Sequence, residues 1–141
     1  RLGLKATPQR MAILEYLSGN KTHPAAEDVY STLLGKYPGL SCTTVYNVMT
    51  KLIERNVVRE LDIDPDRKRY DPFTEPHDHF YCRSCGKVYD VEDEAVAAAR
   101  QENGRKKNMN GHQVEGLSLN FTGVCRDCSA AVYSGAAERL E

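Results

Sequence analysis

Long apolar runs are missing from this 141-residue sequence, and so is any charged-then-apolar leader of the signal-peptide kind. The first absence argues against a membrane span and the second against export, so a cytoplasmic protein without a membrane partner is expected. The chain opens at Arg1, and a short preceding segment is expected. An excess of one charge is missing too. The formal net charge is −1, with 11 Lys+Arg against 10 Asp+Glu in residues 1–75 and 8 against 10 in residues 76–141. Bulk charge therefore carries no argument for nucleic acid, and a case for DNA must rest on where the basic residues lie. No internal repeat or low-complexity tract interrupts the chain, and 40% hydrophobic residues suffice for one ordinary domain or two small ones.

Cysteine, in contrast, is patterned. Four of the five cysteines form two Cys-x-x-Cys pairs, Cys82/Cys85 and Cys125/Cys128, separated by 39 residues, and Cys42 stands alone. In a reduced intracellular chain such pairs hold zinc more often than they form disulfides. Two residues between thiolates let both sulfurs reach one ion from a tight turn, which Gly86 suits, and four thiolates leave no open coordination position. The expected role is structural, with the metal replacing core that a small domain lacks. Redox-active or merely buried pairs are the alternative. Cys42 is read as a small buried or half-buried residue without a sensing role.

The first half reads as three helices and a hairpin. Thr7-Pro8 starts a helix, with Met11, Leu14 and Leu17 at helical spacing. Pro24 opens a second, whose apolar face is Ala26, Val29, Tyr30, Leu33 and Leu34, and Tyr37-Pro38-Gly39 follows it with breakers. Ser41 caps a third with Val45, Val48, Met49, Leu52 and Ile53 buried, and Asn56 stops it. Strand, turn and strand follow over residues 57–63, Asp64-Pro65-Asp66 and residues 67–71. Three helices and a hairpin make a winged helix-turn-helix. Beyond a proline-marked hinge come short strands at residues 79–81 and 88–91 around the first cysteine pair. An alanine-rich helix over residues 93–102 and a strand alternating through Leu117, Leu119 and Phe121 complete the reading. The expected class is α+β: residues 1–72 a winged-helix DNA-binding domain, residues 73–78 a hinge, and residues 79–141 a small α/β domain.

Two further residue sets carry chemistry. His77 and His79 alternate on what reads as one strand, with Asp71 on the preceding wing strand, Asp90 beyond the first cysteine pair and His23 before the second helix. Imidazole and carboxylate suit Fe²⁺, Mn²⁺ or Zn²⁺ and exchange metal more readily than thiolates. A surface histidine pair beside a linker is the competing reading. The third helix presents Thr44, Tyr46, Asn47, Thr50 and Lys51 opposite its apolar stripe, a mixture able to approach base edges in a major groove. Lys5, Arg10, Lys51, Arg55 and the triplet Arg67-Lys68-Arg69 supply candidate phosphate contacts. An ordinary solvated helix face remains the alternative. His112 and the Arg105-Lys106-Lys107 stretch read as surface features.

Taken together, Thr7-Pro8-Gln9-Arg10, the His23–Tyr30 segment, Thr44-Val45-Tyr46 within residues 41–52, His77-Asp78-His79, Cys82 through Lys87 and Gly123-Val124-Cys125 leading to Cys128 resemble the ferric uptake regulator family over nearly the whole chain. The resemblance implies a homodimeric, metal-dependent repressor, not an enzyme, that binds a palindromic operator, with residues 79–141 forming the dimerisation domain. It implies that His23, Asp71, His77, His79 and Asp90 hold a regulatory Fe²⁺ or Mn²⁺, that the four paired cysteines hold structural Zn²⁺, and that Tyr46 contacts bases. Iron-sensing members carry a further metal site, at whose positions this sequence has Pro76, Ala97 and Leu117, none of which ligates metal. Asp71 and Asp90 match instead the peroxide-responsive branch, in which peroxide oxidises a ligand histidine, here His23 or His77, and the repressor leaves DNA. An iron-responsive repressor of iron-uptake genes is the alternative. A metallohydrolase using the His/Asp set, with Asp78 as its base, has no substrate-binding motif beside it. A dithiol redox protein is separated by its zinc content.

Overall fold

The structure, a computed structural model, describes residues 3–105 and 107–130. Residues 131–141 of the expected C-terminal domain, and Lys106 of the basic stretch, lie outside the described residues. The chain divides between Glu75 and Pro76 into two compact units.

The first unit contains helices α1 (Pro8–Leu17), α2 (Ala26–Leu34) and α3 (Cys42–Glu54), then strands β1 (Arg59–Leu61) and β2 (Arg69–Asp71). Each helix begins where its cap allows. The Thr7 hydroxyl accepts the Arg10 amide at 3.2 Å, and the Ser41 hydroxyl accepts the Thr44 amide at 3.1 Å. Pro24 lies one residue further from α2 than expected: Ala25 occupies the cap position, and the Asp28 carboxylate reaches back to accept its amide at 2.9 Å. Asn56, at φ +56, turns the chain out of α3 in the left-handed conformation that asparagine tolerates.

Ile13, Leu17, Ala26, Val29, Leu40, Val45, Val48, Met49, Leu52, Val58 and Tyr70 form the core of this unit. Every residue of the stripe expected on α3 contributes, with Ile53 only partly buried. On α1 the expectation needs correction. Ile13 and Leu17 are buried, Leu14 is half-buried and Met11 is exposed, because the buried stripe runs one position away from the one Met11 marks. The strands are shorter than the alternation implied, pairing antiparallel with Arg59 opposite Asp71 and Leu61 opposite Arg69.

The second unit contains β3 (Asp78–Cys82), β4 (Val88–Val91), α4 (Glu94–Gly104), β5 (Asn108–Met109), β6 (His112–Gln113) and β7 (Asn120–Gly123). A three-stranded sheet has the order β4-β3-β7, with β3 antiparallel to β4 and parallel to β7. The last strand begins later than expected. Leu117 precedes it, because the ladder with β3 starts only at the His79–Asn120 pair, and Leu117 and Phe121 are both exposed. The β5–β6 hairpin was not anticipated. Its signal was Asn110-Gly111, whose φ values of +53 and +84 are those a two-residue hairpin turn requires. Among the described residues of this unit the buried apolar set is only Tyr81, Cys82, Val88 and Cys125, and α4 buries none of its residues. No helix among the described residues is long and apolar enough to cross a membrane.

Candidate functional site

The four paired cysteines converge in the second unit, each offering a sulfur within 4.8 Å of the others. The parallel pairing of β3 with β7 sets Cys82 opposite Gly123 and so brings the second knuckle beside the first. The first knuckle turns at Gly86, at φ +75, where the Gly86 amide donates to the Cys82 carbonyl at 2.8 Å. Backbone amides converge on sulfur, Cys85 N–H and Cys125 N–H reaching the Cys82 Sγ at 3.5 and 3.3 Å. Burial pushes the Cys82 thiol up, but the amides of Cys125, Cys85 and Ser84 outweigh it and hold the group at about 6. A hydrogen bond from the Tyr89 hydroxyl, followed by the Cys128 amide, likewise lowers Cys125. These contacts favour thiolate, the form that ligates metal. Cys85 Sγ and Cys125 Sγ stand 3.9 Å apart, against an edge of roughly 3.8 Å for a tetrahedron of zinc–sulfur bonds. The residues fit a structural zinc. Sequence reasoning grouped the four cysteines that the structure brings together, but not Tyr89, which its strand carries to the sulfur.

Nitrogen and oxygen ligands gather in both units. In the first, His23 Nε2 lies 3.5 Å from Asp71 Oδ2, and both residues are buried. Asp71 is aimed by its other oxygen, which accepts the Phe73 amide at 2.9 Å. In the second, His79 is the cross-strand neighbour of Asp90, and Asp90 Oδ1 lies 3.5 Å from His79 Nε2 and 3.3 Å from His77 Nε2. The two imidazoles share one face, their ring centroids 4.4 Å apart, as the period of a strand requires. Two ligand atoms on one ion with bonds of roughly 2.1 Å stand about 3.0 to 3.4 Å apart; the 3.3 Å His77–Asp90 pair falls inside that range and the two 3.5 Å pairs lie just beyond it. Asp78 is otherwise engaged. Its buried carboxylate takes Arg100 Nε at 3.1 and 3.0 Å, tying β3 to α4.

Tyr46, Asn47 and Thr50 are exposed on α3, and Thr44 and Lys51 are half-buried. Thr44 shares its hydroxyl with Ser41 at 2.8 Å. The Tyr46 hydroxyl donates to the Glu27 carboxylate of α2, which raises the tyrosine to about 12. Sequence reasoning missed Glu27, nineteen positions away, for want of any local signal. Arg10 is half-buried and donates to the Lys5 carbonyl at 3.0 Å. In the basic triplet, Arg67 pairs with Asp28 at 3.1 Å and Lys68 with Glu60 at 2.7 Å, both at the surface. Arg69 departs from the expected phosphate contact. It is buried, with Nε 2.9 Å from Asp64 Oδ2 and Nη1 donating to the His23 carbonyl at 3.0 Å.

A winged helix, a cluster of four cysteines that could hold a metal and a histidine–aspartate set that could hold another are together the features of a metal-dependent, DNA-binding transcription repressor. Residues 1–118 match the ferric uptake regulator family. The chain belongs to that family, and is therefore a transcription regulator rather than a metallohydrolase or a dithiol enzyme. It is 38% identical over 127 residues to the peroxide operon regulator of Bacillus subtilis, covering 90% of this chain and 86% of that protein. It is 32% identical over 126 residues to the peroxide-responsive repressor PerR of Staphylococcus aureus, covering 89% and 83%. The ferric uptake regulator of Francisella tularensis, solved with iron, superposes with a TM-score of 0.73 at 25% identity, covering 92% of this chain and 97% of that one. The two peroxide-responsive relatives, at 38% and 32% identity, favour the peroxide-responsive reading over the iron-responsive alternative.

Proposed function

We propose that this chain represses transcription as a homodimer on a palindromic operator, and that peroxide releases it by oxidising a histidine ligand of a regulatory Fe²⁺. In this reading His23 and Asp71 of the first unit and His77, His79 and Asp90 of the second hold one ion. The observation that carries it is the composition of both ligand sets: in each unit an aspartate stands within 3.5 Å of a histidine nitrogen. Such ligands release metal far more readily than thiolates. An ion bonded to both sets fixes residues 1–72 against residues 79–141 across residues 73–78. The form it favours is the one that fits both halves of the operator, and differential affinity for that form is the switch. Tyr46, Asn47, Thr44 and Lys51 face the major groove, while Arg10, Lys5 and Arg55 approach phosphates. A repressor works beside the chromosome, which puts it in the cytoplasm, where thiols stay reduced for zinc.

Bound iron supplies the reactivity toward peroxide that manganese lacks. One peroxide oxygen enters a ring C–H bond of His23 or His77, and the other leaves as water. The altered ring is a poorer ligand, and the clasp opens. The test exposes Fe²⁺-loaded and Mn²⁺-loaded protein to low peroxide and measures peptide masses around His23 and His77 together with operator binding. One added oxygen on a histidine, with loss of DNA binding, is expected in the iron form alone. An unmodified iron form that still answers to iron supply makes the chain an iron-responsive repressor instead.

A further inference from the structure

Three consecutive residues of β2 hold the turn that carries His23. Arg69 Nη1 donates to the His23 carbonyl at 3.0 Å, the Tyr70 amide donates to the Pro24 carbonyl at 2.9 Å, and Asp71 Oδ2 lies 3.5 Å from His23 Nε2. The turn needs holding. His23 has φ +54, a left-handed conformation that is strained for a side chain with a Cβ. A residue persists there only when its surroundings over-determine it. Arg69 is itself fixed from behind, its Nε 2.9 Å from Asp64 Oδ2, and Asp64 also accepts the Asp66 amide at 2.9 Å. Asp64, Arg69 and His23 are all buried. The guanidinium is a fork that serves a carboxylate with one arm and a carbonyl with the other, which a lysine ammonium does less well.

We infer that Arg69 is a positioning residue for the regulatory metal: it locks the strained His23 turn so that the imidazole stands ready beside Asp71, and it takes no part in binding DNA phosphates. By the two-residue period of a strand, Arg69 and Asp71 share one face of β2. A single strand thus delivers one ligand and braces the other. The loop between β1 and β2 is tied to the same brace through Asp64. The inference rests on the assignment of His23 to the regulatory metal.

The test uses the full-length, zinc-loaded protein and Mn²⁺ as the probe, comparing wild type, R69M, R69K and H23A. Two quantities are read: Mn²⁺ affinity by titration, and the salt dependence of binding to non-specific duplex DNA without Mn²⁺. R69M is expected to weaken Mn²⁺ by about 10- to 100-fold, the usual loss when the support of a metal ligand is removed. Zinc content and the salt slope stay as in wild type, and R69K recovers part of the affinity. A phosphate contact gives the opposite pattern, with Mn²⁺ affinity kept and the slope shallower by about one, and that result overturns the inference. Should R69M not fold, R69K decides: full Mn²⁺ affinity there also overturns it, since lysine cannot serve both partners as arginine does. H23A binding Mn²⁺ as wild type removes the parent assignment and the inference with it. Weakened H23A beside unchanged R69M and R69K refutes the role of Arg69 alone.

Discussion

The two units solve the same problem by different chemistry. The first buries eleven residues in a continuous apolar core fed by three helices and the wing. The second, among its described residues, buries only Tyr81, Cys82, Val88 and Cys125 as apolar groups, and two of those four belong to the cysteine cluster that could hold a metal. A helix that buries nothing and a sheet of three short strands do not make a core by themselves. Four sulfurs on one zinc ion would take its place. The contrast teaches where each unit is vulnerable: one to lost volume, the other to a lost ligand.

The largest effect is expected of Cys125→Ser. Its expected outcome is loss of zinc and of the folded second unit, while the amide resonances of the first unit persist. Zinc content and a two-dimensional amide spectrum check it, and joint collapse of both units would show that their stabilities are not separable. Next in size is Leu52→Ala, at a fully buried site. It is expected to destabilise the first unit by about 2–5 kcal/mol and leave zinc content untouched, as read by denaturant titration beside metal analysis. A smaller effect sharpens the comparison through acid. Burial on its own pushes Asp64 up, but the Asp66 amide and Arg69 outweigh it and hold the group below its ordinary 3.8. A folded value lower than the unfolded one stabilises the fold above 3.8, and the contribution disappears as pH falls through the depressed value. Asp64→Asn should therefore flatten the stability of the first unit in that acid window and lower it modestly at neutral pH. An unchanged acid profile would mean that Asp64 does not brace this unit.

Local chemistry explains what the sequence made legible. Thr7 and Ser41 announce helix starts because a hydroxyl at the cap satisfies an amide three residues on, and the α3 stripe follows from helical period alone. The cysteine pairs were readable because two ligands on one turn need a fixed spacing. His77 and His79 were readable as one face for the same kind of reason. Partner choice across long separations was not readable. Nothing near Arg69 says that its arm reaches His23, forty-six positions earlier, rather than a phosphate. Glu27 and Tyr46 are likewise joined only by the packing of α2 on α3. Strand length was overestimated because alternation continues past the point where a partner strand ends, as at Leu117. The Asn110-Gly111 hairpin, in contrast, was a local signal passed over.

The parallel seam between β3 and β7 also bears on how the chain comes to be made. Cys82 and Cys85 emerge from the ribosome some forty residues before the partners that complete their tetrahedron. Until Cys125 and Cys128 follow, those two thiols can offer an ion only half of its shell, exposed to exchange and to oxidants. A shell of four thiolates is therefore on offer only once synthesis has passed the second knuckle.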